Sequence, residues 1–131
     1  MKKATILVVD DHPFVRKGIT AIVDGEFEVC GEATNGKEAL EKVLALQPDL
    51  VLMDVSMPVM SGIEATRQIR SLSPSTPIII VSMHDSRQIE LEAKQAGAYG
   101  YFTKTTPQEE FCQMIREALR GSKSSAPAKA D

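Results

Sequence analysis

The sequence predicts an α/β fold built around a parallel sheet. Short apolar runs rich in β-branched residues alternate with amphipathic helical patterns along the chain. Such alternation is typical of parallel strands that are joined by right-handed helical crossovers. The length of 131 residues and the composition, with 43% hydrophobic and 25% charged residues, are those of one ordinary globular domain.

Five apolar runs are the predicted strands. The second has the weakest strand pattern and the fourth is the most apolar. Strands that helices cover on both faces of a sheet are expected to be nearly continuous in apolar residues. The predicted strands are Thr5–Val9, Phe27–Gly31, Leu50–Met53, Ile78–Val81 and Tyr99–Phe102.

The first two helices are predicted from proline, capping signals and apolar spacing. Pro13 suits the first turn of the first helix, and Asn35 with Glu38 resembles a capping box at the start of the second. Gln47 and Pro48 end the second helix. Both helices have an apolar stripe that is expected to face the core. The stripe residues are Phe14, Val15, Ile19, Ile22 and Val23 in the first helix, and Ala39, Leu40, Val43 and Leu44 in the second.

The last three helices are predicted in the same way. Ser61 and Glu64 form another capping box for a helix that ends near Leu72. The next helix is Ser86–Ala96, with Gly97 as its C-terminal stop. The last helix turns Phe111, Ile115, Ala118 and Leu119 inward. Five strands and five helices in alternation predict a flavodoxin-like, doubly wound (βα)5 fold with sheet order 2-1-3-4-5.

This fold is expected to occupy residues 1–120. The segment 121–131 is rich in Ser, Ala, Pro and Lys and has no apolar periodicity, which predicts a flexible C-terminal tail or a linker stub. An effector domain would have to lie outside this chain.

Composition and charge exclude several classes of protein. The net charge of −3 disfavours direct binding of nucleic acid or of an anionic membrane. The apolar runs are far shorter than the ~20 residues of a membrane span, and no signal peptide is visible. Cys30 and Cys112 are too few for a disulfide framework, and His12 and His84 have no partner at zinc-ligand spacing. We therefore expect a cytoplasmic protein.

Polar side chains follow four of the five predicted strands. Asp10 and Asp11 follow the first strand, Asp54 the third and Ser82 the fourth, and Lys104 lies just after the fifth. Ligands of open parallel sheets bind outside the carboxyl ends of the strands, so these side chains are expected to meet at one edge. A divalent cation such as Mg²⁺ would relieve the repulsion among the three carboxylates.

The chemistry of this group points to phosphoryl transfer. Asp54 ends an otherwise apolar strand, and a carboxylate beside a divalent cation can attack phosphorus to form an aspartyl phosphate. Lys104 and Ser82 could neutralise and hydrogen-bond the phosphoryl oxygens. A structural interpretation of Asp10 and Asp11, as acids near the start of a helix, stays open at this point.

These motifs resemble the receiver domain of two-component response regulators. The resemblance covers about Ala4 to Leu119, and the segments 11–13 and 81–85 further resemble receivers of the NarL/FixJ type. The motifs are Val9–His12, Asp49–Pro58 with Gly62, Ser82, and Gly100–Lys104.

The resemblance implies a role for each site residue. Asp54 would be the phospho-acceptor, and Lys104 would pair with the phosphoryl group. Ser82 would be the switch hydroxyl and Tyr101 the aromatic switch residue. The Mg²⁺ ligands would be Asp10, directly or through water, Asp11, Asp54 and the backbone carbonyl of Ser56.

The resemblance also implies partners and an output. A sensor histidine kinase would donate the phosphoryl group, and the chain would be a phospho-acceptor that catalyses only its own phosphorylation and dephosphorylation. The face of the fourth helix, fifth strand and fifth helix would bind a partner or a second copy of the chain. The output would be transcription regulation through a domain absent from this chain.

The residues also bear on three alternative functions. The segment 31–37 has the Gly and Lys spacing of a phosphate-binding loop, but Glu38 stands where a metal-binding hydroxyl is needed. A phosphotransferase with true turnover would need a second acidic residue two positions after Asp54, and this position is Ser56. A receiver-like module that binds partners without phosphorylation is the remaining alternative, and the intact acids, Ser82 and Lys104 argue against it.

Overall fold

The computed structural model of the chain describes residues 2–83 and 85–128, with side chains up to residue 121. Five parallel strands form one sheet in the order β2-β1-β3-β4-β5, so the predicted fold class and strand order are confirmed. Strands β3 and β4 are buried along their whole length. The strands are β1 (Thr5–Val9), β2 (Glu28–Ala33), β3 (Leu50–Asp54), β4 (Ile78–Ser82) and β5 (Gly100–Thr103).

Five helices connect or follow the strands: α1 (Pro13–Val23), α2 (Gly36–Leu46), α3 (Gly62–Leu72), α4 (Arg87–Ala96) and α5 (Gln108–Ala128). The predicted caps are present. The side chain of Asn35 accepts the amide of Glu38 at 2.8 Å, and Ser61 accepts that of Glu64 at 3.2 Å. Both bonds satisfy amides that have no partner inside the helix.

The helices cover both faces of the sheet. Buried residues of α1 and α5 pack on one face, and buried residues of α2, α3 and α4 pack on the other. Asp54 lies beside Val81 in the β3–β4 register, and Ser82 lies beside Thr103 in the β4–β5 register. The polar residues that end the strands are thereby brought to one edge.

Two predicted core residues are instead exposed. Phe14 is 88% exposed and Leu44 is 56% exposed. In α1 the buried residues are Ile19 and Val23, and Phe14 lies on the opposite face, because residues four and seven positions further along are also exposed. Leu44 lies one residue past buried Val43 and is turned about 100° away from it.

Helix α5 continues into the segment that was predicted to be a tail, and it ends at Ala128. Residues 129–131 of the predicted tail lie outside the described residues. The division at residue 120 stays a prediction. Cys30 and Cys112 are both free, and they lie in β2 and α5. Among the described residues, no helix combines the length and hydrophobicity that a membrane span requires.

Candidate functional site

A charged pocket lies at the carboxyl edge of the sheet. Asp10 follows β1, Asp54 ends β3, and Lys104 follows β5. The side chain of Asp10 is fully buried, and those of Asp54 and Lys104 are 5% and 10% exposed. Three residues that are distant in sequence thus form one buried cluster.

Lys104 bridges the two buried carboxylates. Its Nζ lies 2.7 Å from Asp10 Oδ2 and 3.2 Å from Asp54 Oδ1. The backbone amide of Lys104 donates to the carbonyl of Ser82 at 2.7 Å, which fixes the start of the loop after β5. The ammonium is therefore held at the point where two negative charges meet.

Burial raises the pKa of Asp54, and the negative charge of Asp10 raises it further. Lys104 opposes both effects through its charge and its hydrogen bond, and the amide of Val55 helps it. The raising effects prevail, so the pKa of Asp54 stays above its ordinary value even beside Lys104.

The segment after β1 supplies the rest of the cluster. The amide of His12 donates to Asp10 Oδ1 at 2.8 Å, and Arg16 Nη1 donates to the carbonyl of Asp10 at 2.8 Å. Asp11 Oδ1 is buried and has no hydrogen-bond partner, although His12 Nδ1 lies 3.0 Å away. One ligand atom from each of Asp10, Asp11, His12 and Asp54 lies within 4.8 Å of the others.

The donor set fits a hard divalent cation. Three carboxylates and one ammonium leave a formal charge of −2 at neutral pH. The orphaned Asp11 Oδ1 is a buried acceptor that a cation would satisfy. Mg²⁺ typically binds to one or two carboxylates and keeps several waters, so this acidic cluster has the chemistry of a Mg²⁺ site.

The loop from β3 to α3 is packed tightly against Asp54. A Cβ atom on Gly62 would lie 1.8 Å from the carbonyl oxygen of Asp54, so only glycine fits there. The Gly62 amide donates to Val55 O at 2.9 Å. Val59 has φ +71°, which is a strained conformation for a β-branched residue. Ser56 lies in this loop and is exposed.

Ser82 and Tyr101 lie on the β4 and β5 side of the pocket. Ser82 is 2% exposed at the end of β4, next to exposed Met83. The Tyr101 ring packs on the core beneath α4, and its hydroxyl accepts the backbone amide of Ser86 at 3.2 Å. Tyr101 therefore ties β5 to the first turn of α4.

Sequence reasoning located most of this site and missed three of its features. It left His12 out of the site because no second ligand stood at zinc-binding spacing, although Nδ1 of the exposed ring lies 3.0 Å from Asp11 Oδ1. It named Gly62 at a helix start and with the Asp49–Pro58 motif, but did not predict that its lack of a side chain admits the Asp54 carbonyl. The strain at Val59 also escaped it, since no glycine or asparagine marks that turn.

Comparisons with known proteins agree with this fold. The chain is 42% identical over 125 residues to the response regulator GacA of Pseudomonas viridiflava, which covers 93% of this chain and 58% of GacA. It is 35% identical over 120 residues to the nitrate/nitrite response regulator protein NarL of Escherichia coli, which covers 90% of this chain and 56% of NarL. The chain spans just over half the length of these relatives.

A solved structure matches the fold closely. A two-component response regulator of the LuxR family from Aurantimonas superimposes with a TM-score of 0.87 and is 38% identical, over 92% of this chain and 87% of that chain. The family described as the response regulator receiver domain matches residues 6–116. The chain therefore belongs to the receiver domain family of two-component response regulators.

Proposed function

We propose that the chain is a phosphorylation-switched signalling module in which Asp54 accepts a phosphoryl group from a sensor histidine kinase. The observation that carries this proposal is the bridging position of Lys104 between the buried carboxylates of Asp10 and Asp54. Lys104 stands where the negative charge of a transferring phosphoryl group would have to be neutralised.

The reaction would be a displacement at phosphorus. A carboxylate oxygen of Asp54 attacks the phosphorus, and the bond from phosphorus to the donor histidine nitrogen breaks. Lys104 is already within reach of Asp54 and can turn towards the new phosphoryl oxygens. The pKa of Asp54 is raised by burial, so the ionised carboxylate is poorly solvated and reactive.

Asp11, Asp54 and the backbone carbonyl of Ser56 would hold Mg²⁺, with Asp10 assisting directly or through water. When bound, the ion would supply positive charge to the phosphoryl oxygens. The orphaned Asp11 Oδ1 supports this assignment.

Ser82 and Tyr101 would carry the signal outward. A phosphoryl group on Asp54 presents oxygens that Ser82 can engage, and drawing the end of β4 inward would let Tyr101 leave the amide of Ser86. The face formed by α4, β5 and α5 would then change, and this face is our proposed surface for a partner or for homodimerisation. Phosphorylation acts as a shift of populations between two arrangements.

The chain would be a phospho-acceptor that catalyses only its own phosphorylation and dephosphorylation. A longer relative, the transcriptional regulatory protein YdfI of Bacillus subtilis, is 39% identical over 119 residues and supports an output in transcription through a further domain, with no direct nucleic-acid contact by the receiver domain itself. A cytoplasmic location follows from a kinase partner of this type.

Intact-mass measurement tests this proposal directly. The chain is incubated with Mg²⁺ and acetyl phosphate, with and without a chelator. The wild type should gain the mass of one phosphoryl group only when Mg²⁺ is present, and Asp54→Asn should gain none. Equal labelling of the two proteins would refute the acceptor assignment, and no labelling of the wild type would favour a phosphorylation-independent interaction module.

A further inference from the structure

His12 lies at the mouth of the acidic pocket with its ring nitrogen turned towards the carboxylates. Its Nδ1 is 3.0 Å from Asp11 Oδ1 and 3.4 Å from Asp10 Oδ1. His12 is also the residue before the first turn of α1, but its side chain makes no capping hydrogen bond. Helix capping therefore does not explain where the ring points.

The contact between His12 and Asp11 is not a hydrogen bond. Asp11 Oδ1 is buried and has no hydrogen-bond partner, although Nδ1 is close enough for one. The lone pairs of Asp11 Oδ1 therefore stay available to a cation beside the imidazole nitrogen.

The two distances from Nδ1 lie within the range that separates neighbouring ligands of a metal ion. With metal–ligand bonds of about 2.1 Å, neighbouring ligands lie about 3.0 Å apart in an octahedron and about 3.4 Å apart in a tetrahedron. The distances from Nδ1 to the two carboxylates are 3.0 Å and 3.4 Å. An oxygen of Asp54 completes a set of four atoms within 4.8 Å of one another.

An imidazole changes which cation such a pocket prefers. Mg²⁺ favours oxygen ligands, whereas Zn²⁺, Ni²⁺ and Cu²⁺ readily accept a neutral imidazole nitrogen. A mixed set of one imidazole and three carboxylates is a ligand set of the second kind. The exposed imidazole of His12 thus gives the pocket a nitrogen ligand that Zn²⁺ binds more readily than Mg²⁺ does.

We propose that His12 makes the pocket a binding site for a divalent transition metal such as Zn²⁺, with Nδ1 as a ligand beside Asp11 and Asp54. The inference rests on the proposed metal pocket and adds a second class of occupant to it. Both cations need the same carboxylates, so a transition metal and Mg²⁺ exclude each other. The ratio of the two metals would then set how much of the protein can be phosphorylated.

Calorimetric titration with Zn²⁺ alone and with Mg²⁺ alone tests the proposal on three proteins. These are the wild type, His12→Gln, and the control His84→Gln, which removes the other histidine of the chain. The ratio of Zn²⁺ affinity to Mg²⁺ affinity should fall at least about tenfold in His12→Gln, since loss of one good ligand weakens metal binding. The control should keep the wild-type ratio, and added Mg²⁺ should weaken Zn²⁺ binding to the wild type.

Nitrogen NMR of the histidine side chains gives a second readout. Zn²⁺ should shift the His12 Nδ1 resonance and leave that of His84 in place. An unchanged affinity ratio in His12→Gln, or a loss in His84→Gln alone, would overturn the proposal. Absence of Mg²⁺ binding and of acetyl phosphate labelling in the wild type would instead count against the proposed function, so the two failures are distinguishable.

Discussion

Two cations of this fold each lie between two carboxylates, in opposite environments. Lys104 pairs with Asp10 and Asp54, and the three side chains are 10%, 0% and 5% exposed. Arg116 of α5 pairs with Glu26 at 2.6 Å and with Glu109 at 3.5 Å. These side chains are 31%, 43% and 81% exposed.

The environments give the carboxylates opposite electrostatics. Hydrogen bonding to Arg116 lowers the pKa of Glu26, so ionisation of Glu26 is favoured in the fold. Burial and the charge of Asp10 raise the pKa of Asp54, so its ionisation is disfavoured despite Lys104. The surface cluster around Arg116 therefore stabilises the fold slightly. The buried cluster around Lys104 would instead be stabilised by a further positive charge.

Replacing Lys104 or Arg116 by an uncharged residue should give the largest difference in stability between the two clusters. Lys104→Met should lower the free energy of unfolding of the metal-free protein by about 3 kcal/mol, because two buried carboxylates lose the counter-charge that lies between them. Arg116→Met should produce a clearly smaller loss, since its carboxylates are solvated. Urea unfolding with a chelator present measures both, and equal losses would erase the distinction.

Neutralising one carboxylate of each cluster should change the free energy of unfolding in opposite directions. Asp54→Asn should raise the metal-free stability at pH 7 on the order of 1 kcal/mol, because the remaining Lys104–Asp10 pair is balanced. Glu26→Gln should lower it slightly, because a favourable ion pair is lost. A loss of stability in Asp54→Asn, measured by the same urea unfolding, would show that Asp54 serves the fold.

The stability changes caused by these two substitutions should depend on pH. Because the pKa of Asp54 is raised above 3.8, its ionisation opposes folding at neutral pH, and this penalty shrinks as the pH falls through the raised pKa. Glu26 has a pKa below 4.5, so its contribution is complete above pH 4.5 and is lost below that value. The gain of Asp54→Asn and the loss of Glu26→Gln should therefore both vanish in acid.

Mg²⁺ should act on the buried cluster alone. At about ten times its dissociation constant it should stabilise the wild type by about 1.4 kcal/mol, because only the folded chain forms the site. Asp11→Ala should abolish this gain, and Arg116→Met should keep it. Thermal unfolding with Mg²⁺ and with a chelator gives the comparison. If Mg²⁺ stabilises Asp11→Ala as much as the wild type, Asp11 is not a metal ligand.

Salt should produce the smallest difference. Raising NaCl to 1 M shortens the screening length to about 3 Å, which weakens exposed ion pairs far more than buried ones. The loss caused by Arg116→Met should diminish in high salt, and the loss caused by Lys104→Met should persist. A persistent Arg116 effect would indicate that packing of its aliphatic chain, and not charge, supports the fold.

Most of the fold could be predicted from the sequence because its signals are local. The apolar runs, the caps at Asn35 and Ser61 and the left-handed Gly97 each depend on neighbouring residues. The exposure of Phe14 could not be predicted in this way, because the apolar spacing of α1 does not show which face of the helix packs on the sheet. The ends of strands also depend on contacts between elements. The predicted second strand ends at Gly31, whereas β2 continues to Ala33 through its pairing with β1.

The site was predictable as a set of strand ends but not as a geometry. The rule that parallel strands present ligands at their carboxyl ends brings Asp10, Asp54 and Lys104 together from the order of the strands alone. The ion bridge of Lys104 and the orientation of His12 depend on side-chain positions across three strands. Spacing along the chain contains no information about such contacts.

Chemical trapping at residue 54 tests the central claim most directly. The wild type is incubated with Mg²⁺ and acetyl phosphate, reduced with borohydride, digested and sequenced by mass spectrometry, because borohydride converts an aspartyl phosphate to homoserine. We expect homoserine at position 54 and unmodified Asp10 and Asp11. Homoserine at either of those positions, or a labelled protein in which residue 54 stays aspartate, would contradict it.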